Sequence, residues 1–246
     1  MTFSGPIAAV AGALGGAVIA VAAMFIAAQS GMFPPDVRIH DYLLNHPQIL
    51  VQMSNKLQAQ QDASADDARQ AAVRKLGLKA FFNPRLAFVV GPATARKTFV
   101  EFFDYNCPYC RASLPAVKKL IAARGKDTRF AFIEFPIKGP QSTIASRAAI
   151  AARKQPDKYL PFHFLLMGEK ELVTEDVVYA DAQKAGLDVG KLKVDMQDHA
   201  VDSALAGAHN LAVAASIDGT PAFIIDGRIR EGAIDDGVIR RMLKAS

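Results

Sequence analysis

Charge is missing from the start of this chain. Met1–Pro35 contain no Asp, Glu, Lys or Arg, so the 24 acidic and 29 basic residues of the 246-residue sequence all follow Pro35. Such a leader is unlike a soluble surface, while the remainder has the charge density of an ordinary globular body. Cysteine is scarce as well. Two residues, Cys107 and Cys110, are too few for a disulfide scaffold and too few for a structural zinc site, which takes four ligands. The five histidines, His40, His46, His163, His199 and His209, show no ligand pairing beside them. No dense Lys/Arg tract occurs, so the net charge of +5 describes a solvated basic surface rather than a nucleic-acid footprint. With 51% hydrophobic residues the chain is too apolar for disorder, and it is long enough for one or two domains with a substantial core.

The leader, residues 1–35, is read first as a signal anchor. Ile7–Ala28 is an apolar run of 22 residues, long enough as a helix to cross a bilayer core and longer than a usual signal-peptide core. Cleavage is the alternative, because Ala28 and Ser30 place small residues where a signal peptidase reads. No Lys or Arg precedes the run, which leaves the orientation signal weak. Gly12 and Gly16 have GxxxG spacing, a pattern that a Gly/Ala-rich membrane run also produces by chance.

Residues 36–80 read as a helical extension. Phe33-Pro34-Pro35 is a stiff break, Asp36 can cap a helix to about Leu44, and Pro47 suits the first position of a second helix. Ile39, Leu43, His46, Leu50, Met53 and Leu57 step by four and three, which is a heptad seam interrupted by Pro47. The competing reading is an amphipathic helix packed on its own domain. Gln58–Lys75 is rich in Ala, Gln, Asp and Arg with little to bury, and reads as a linker or stalk that an oligomer would stabilise.

The chemistry concentrates at two motifs. Lys97–Phe103 is a strand by composition, Asp104-Tyr105-Asn106 a turn, and Cys107-Pro108-Tyr109-Cys110 opens a helix running to about Arg124. Cys107 then sits at a helix N-terminus, where the peptide dipoles and free N–H groups favour a thiolate. Cys110 lies one turn in and is less exposed. The spacing closes a small disulfide ring, suited to an exposed attacking thiolate and a resolving neighbour. A purely structural disulfide across two residues would constrain the unfolded chain little. Cu(I), which accepts two thiolates, remains an alternative ligand. The second motif is Gly219-Thr220-Pro221-Ala222-Phe223-Ile224-Ile225-Asp226-Gly227: a strand with Pro at its entrance and a hairpin turn behind it. Glu101, on the otherwise apolar strand six residues before Cys107, points into the same region; the alternative is a solvent-facing Glu on an edge strand.

CPYC after a strand, followed by GTPAFIIDG near the C-terminus, resembles the thioredoxin fold and specifically the DsbA family of bacterial disulfide oxidoreductases. The resemblance implies an α/β thioredoxin domain over residues 81–246 with a helical insertion at about 140–215. Helical patterns starting near Gln141, Lys158, Thr174, Asp188 and His199 fit that insertion. Phe162, Phe164, Leu165, Leu166 and Met167 read as core more than as a groove lining. The resemblance also implies a cis bond before Pro221, beside the nucleophile, and Thr220 main-chain groups that pair with an extended substrate. It makes Glu101 a buried acid near the resolving cysteine. Burial would raise its pKa and let it take the Cys110 proton, directly or through water. Together with Ile39–Leu50, the pattern looks like the ScsC and Com1 type, which carries a helical N-terminal extension that in some ScsC proteins drives trimer formation and confers isomerase activity. Strong oxidants of the family carry His where Tyr109 stands. A neutral Tyr gives less thiolate stabilisation, which turns the reading toward isomerase or reductase, unless Tyr109 merely packs and other residues set the potential. The expectation is a periplasmic thiol–disulfide oxidoreductase with catalytic Cys107 and Cys110. Glu101, Pro108, Tyr109, Thr220 and Pro221 support them, and no cofactor or resident metal is needed. Its partners would be unfolded or misoxidised exported proteins, an integral-membrane redox protein and further copies of itself through residues 36–80. A dithiol oxidase and a Cu(I)-binding envelope protein are the alternatives.

Overall fold

The computed structural model describes residues 35–244. The readings of the leader, including Ile7–Ala28, Gly12, Gly16 and the Ala28–Ser30 motif, fall outside the described residues. Among the described residues no helix is long and apolar enough to cross a membrane.

Helix α1 spans Pro35–Asn45 and α2 spans Gln48–Leu76. They part at His46 and Pro47, because a proline inside a helix loses an N–H bond and clashes with the preceding turn at a cost of about 3 kcal/mol. The chain divides into two units, Met1–Gln61 and Asp62–Ser246. In the first, the seam residues Ile39, Leu50, Met53 and Leu57 are each more than half exposed, as are Tyr42 and Leu44.

The second unit is built on a five-stranded sheet. Its strands are β1 (Phe88–Val90), β2 (Lys97–Phe103), β3 (Thr128–Glu134), β4 (Ala222–Ile225) and β5 (Arg228–Glu231), in the order β1-β3-β2-β4-β5. β2 and β3 run parallel, and α3 (Pro108–Arg124) lies between them in sequence; the other pairings are antiparallel. Between β3 and β4 come α4 (Pro140–Ala152), α5 (Pro156–Gly168), α6 (Glu175–Lys184), α7 (Val189–Asp195) and α8 (His199–Ala214), with α9 (Asp236–Lys244) last. This is the expected thioredoxin frame with its helical insertion. Thr174 precedes α6 without a side-chain capping bond, whereas Asp188 and Asp198 do accept from backbone N–H groups of α7 and α8.

The period of two along β2 separates two cores. Phe99 and Phe103 join a cluster containing Cys107, Cys110, Phe132, Phe162 and Leu166. Val100 and Phe102 face the other way, into a cluster with Val73, Phe81, Ile133 and Leu211. Each fully buried Phe contributes roughly 2–3 kcal/mol, which is what allows this central strand to carry one acid, Glu101, on the Cys110 side. Phe162, Leu166 and Met167 are core, and Phe164 and Leu165 are half-buried.

From Asp62 onward, α2 is more than a stalk. Val73 is 2% exposed. The Gln70 amide donates to the Gly227 carbonyl at 2.8 Å and accepts from the Ile229 N–H at 3.1 Å. One side chain thus occupies free backbone groups on the edge strand β5, a position that otherwise invites pairing with another chain. Composition could not reveal this, because a few single residues, among them Val73, Gln70 and Arg69, supply the contacts.

Candidate redox site

Cys107 is the N-cap of α3, with extended backbone (φ −86°, ψ 119°) and Pro108 at the first helical position. Pro108 lacks an N–H and so leaves nothing unpaired there. The N–H groups of Tyr109 and Cys110 are directed at the Cys107 sulfur. Both cysteines are free thiols. The Thr220–Pro221 bond is cis, and Cys107 Sγ lies 3.2 Å from the Thr220 carbonyl oxygen. The two motifs, 113 residues apart, therefore meet at one sulfur atom. One expectation needs correction. Cys107 is not exposed but 0% accessible, with the Thr220 carbonyl against its sulfur, while Tyr109 beside it is 64% exposed.

The acidities are divided between the two thiols. Cys107 is lowered to about 5, chiefly because the Cys110 thiol donates to its sulfur. Burial opposes this, while the Thr220 side-chain hydroxyl and the N–H groups of Cys110 and Tyr109 add to it. Cys110 is pushed upward by burial, by its bond to Cys107 and by the nearby Glu101. Glu101 sits mid-sheet, opposite Phe132 on one side and Phe223 on the other. It is 2% exposed, and its Oε2 has no hydrogen-bond partner. Burial raises it to about 8. The solvent-facing edge position is thus excluded, and Glu101 faces the layer that holds Cys110. At neutral pH the site carries a Cys107 thiolate with a neutral Cys110 and a mostly neutral Glu101.

The turn ahead of Cys107 is pinned residue by residue. The buried Asp104 carboxylate accepts from the backbone N–H groups of Asn106 (2.7 Å), Ile137 (2.7 Å) and Lys138 (2.8 Å) and from the Ser142 hydroxyl (2.7 Å). Tyr105 OH lies 3.1 Å from His163 Nδ1. His163 is buried and held down to about 3 by that burial, so it is neutral. Asn106 Oδ1 accepts from the Val173 N–H at 2.8 Å and from Arg111 at 3.1 Å. Arg111 in turn donates to the carbonyls of Tyr105, Lys170 and Glu171. The helical insertion thereby fixes the loop that presents the nucleophile. Asp104 and Asn106 are legible in the sequence only as a turn, and Arg111 and His163 not at all as parts of the site; the available signal is three polar-bearing residues, Asp-Tyr-Asn, between an apolar strand and CPYC. Asp104→Ala strips four donors of one acceptor and should lower stability by about 3 kcal/mol, read as a lower urea midpoint at unchanged m-value.

Residues 98–243 match the family model of the DSBA-like thioredoxin domain, and residues 38–63 match that of the copper resistance protein ScsC N-terminal domain. A thioredoxin-like oxidoreductase from Silicibacter pomeroyi DSS-3 is 35% identical with a TM-score of 0.64, covering 69% of this chain and 96% of that one. BcfH from Salmonella enterica Typhimurium is 28% identical with a TM-score of 0.70, covering 91% of this chain and 98% of that one. The catalytic domain of Proteus mirabilis ScsC is 26% identical with a TM-score of 0.63, covering 72% and 97%. Among curated proteins, a Na(+)/H(+) antiporter NhaA from Herminiimonas arsenicoxydans is 30% identical over 164 residues, which is 67% of this chain and 26% of that protein. The chain spans about a quarter of the length of the curated relatives it matches, so ion transport is not carried over.

Proposed function

Since the chain belongs to the family of DSBA-like thioredoxin domains, we propose that it is a thiol–disulfide oxidoreductase working through Cys107, in the isomerase or reductase direction. The observation that carries the exchange chemistry, whichever its direction, is the pairing of a Cys107 thiol lowered to about 5 with a Cys110 thiol pushed the other way. Only one sulfur is a nucleophile at rest, and the other is kept in reserve.

The Cys107 thiolate attacks one sulfur of a substrate disulfide. A Cys107–substrate bond forms, the substrate S–S bond breaks, and the second substrate sulfur leaves as a thiolate. In isomerisation another substrate thiolate attacks the substrate sulfur of that bond, restoring the Cys107 thiolate with no net electron transfer. As an escape, Cys110 attacks Cys107 Sγ. Its proton passes to water or to the minor ionised fraction of Glu101, the Cys107–substrate bond breaks, the substrate leaves as a thiolate, and the two electrons it has gained are those the dithiol gives up in forming the Cys107–Cys110 disulfide. An integral-membrane reductase would then restore the dithiol. Thr220 presents main-chain groups for pairing with an extended substrate beside Pro221, and Pro108 sets the helix start. The substrates would be unfolded or misoxidised exported proteins in the periplasm, a compartment that permits disulfides, with residues 7–28 as signal or anchor.

Residues 36–80 would bring copies together through Ile39, Leu50, Met53 and Leu57, each more than half exposed. Leu50→Glu combined with Leu57→Glu in the full chain tests this. Sedimentation should show a monomer that keeps its acidic Cys107 and loses rescue of a scrambled disulfide substrate; an unchanged oligomer rules out this seam, and a monomer that still rescues rules out a need for assembly in rescue.

A dithiol oxidase is favoured by one observation. Tyr109 is 64% exposed, and the donors to the Cys107 sulfur are the Cys110 thiol, Thr220 and backbone N–H groups rather than the Tyr109 ring, so the neutrality of that ring does not leave the thiolate weak. Ionisation of Cys107 stabilises the dithiol by about 3 kcal/mol at pH 7, or roughly 60 mV toward an oxidising disulfide. Cu(I) binding by the two thiols is the remaining alternative, and titrating the reduced protein with Cu(I) beside the rescue assay separates it.

A further inference from the structure

We propose that Arg69, on α2, is a positioning residue for Thr220. It lies outside the redox motifs, but it sits where three carboxylates meet. Its guanidinium lies 2.9 Å from Glu231, 3.5 Å from Asp218 and 3.2 Å from Asp66. The Arg69 side chain is 14% exposed, against 20% for Glu231 and 83% for Asp218. This is a partly desolvated cation between acids, and such a pair loses far more when one partner is removed than a surface pair does.

Those acids hold the segment that bears Thr220. Glu231 Oε1 accepts from the Asp218 N–H at 3.4 Å. Glu231 is the strand partner of Ala222, and the Gly232 N–H donates to the Pro221 carbonyl at 2.9 Å. Asp218–Ala222 is therefore braced on its outer side by Glu231 and Gly232, and Glu231 is braced by Arg69. Without the guanidinium, Asp66, Asp218 and Glu231 face one another as like charges. The bond from Asp218 to Glu231 is the first to give way, and Thr220 is two residues further on. Arg69 thus acts from the back of the hairpin on the carbonyl 3.2 Å from the nucleophilic sulfur. The role rests on the redox reading above and adds to it a residue of the helix that precedes the catalytic unit's first strand.

The test uses the full reduced chain. The pH midpoint of Cys107 alkylation, exchange with an extended disulfide-bearing peptide and exchange with oxidised glutathione are measured for the parent, Arg69→Ala, Arg69→Lys and Arg69→Ala/Glu231→Gln. In Arg69→Ala the midpoint should fall by about 0.7 of a pH unit, one hydrogen bond's worth, because the Thr220 carbonyl accepts from the protonated thiol and loosening it removes a bond that favours the neutral form. Peptide exchange should fall by about tenfold, and glutathione exchange less. Lys, and the removal of the repelling carboxylate by Gln, should each restore part of both. A purely scaffolding role would lower the melting temperature while leaving the midpoint and the peptide-to-glutathione ratio at parental values, and that result overturns the proposal. If Arg69→Ala does not fold, Arg69→Lys and Asp218→Asn decide on the same two readouts. A parent with no depressed midpoint refutes the redox reading itself, whereas a depressed parental midpoint that Arg69→Ala leaves in place refutes only the role of Arg69.

Discussion

Glu101→Gln should stabilise the reduced protein by about 3 kcal/mol at pH 7. The folded carboxyl is raised to about 8 by burial, so the folded state binds more protons than the unfolded one between the ordinary carboxyl range and pH 8. Stability is therefore lost as pH rises through that window. Gln has the shape of the protonated acid and has no proton to lose. The gain from the substitution should be near zero around pH 4.5, grow by about 1.4 kcal/mol per pH unit, and level off near pH 8. Urea unfolding across that range reads it, and a gain independent of pH would mean that Glu101 is solvated. The same variant should resolve mixed disulfides more slowly, because a carboxyl beside Cys110 that can take its proton when ionised is gone. A residue that costs this much stability and slows nothing when removed would have no part in the exchange.

Cys107 runs in the opposite sense. Its folded pKa is depressed, so its stabilisation of the reduced state is complete only above the ordinary thiol range and is lost as pH falls through about 5. Between those limits the site inverts the usual order of acidities, with a carboxyl that holds its proton beside a thiol that gives its proton up.

Cys110→Ala carries the second large effect. The Cys110 thiol is the foremost cause of the low Cys107 value, and a hydrogen bond to a charged group is worth about 1.5–3 kcal/mol. The Cys107 midpoint should therefore rise by roughly one to two pH units. Covalent complexes with substrate should also accumulate, since the resolving sulfur is absent; mass spectrometry of non-reduced samples counts them. An unmoved midpoint would shift the origin of the acidity to the helix terminus alone, and an absence of trapped complexes would remove Cys110 from the resolving step.

Much of this was readable beforehand, for physical reasons. Lys97–Phe103 and Ala222–Ile225 are buried strands, whose apolar runs survive in the sequence because both faces are covered. Pro47 and Pro108 mark helix starts because proline tolerates that position. The redox motif was readable because its chemistry depends on a spacing of three. Other features rest on pairs that no local pattern carries. Strand β1, three residues long, exists through its pairing with β3. Asp104 gains its importance from donors 33 to 38 residues away, and Arg69 from partners beyond residue 217. The burial of Cys107 depends on a carbonyl from the far end of the chain, so the exposed thiolate expected from the helix N-terminus alone was the natural error.

The most direct measurement is an ultraviolet titration of thiolate absorbance in the reduced full chain, run beside Cys107→Ser. The expected result is a single ionisation with a midpoint near 5 that is missing from Cys107→Ser. A midpoint in the ordinary range of about 8.5, or an acidic step that persists without Cys107, would contradict the assignment of the nucleophile.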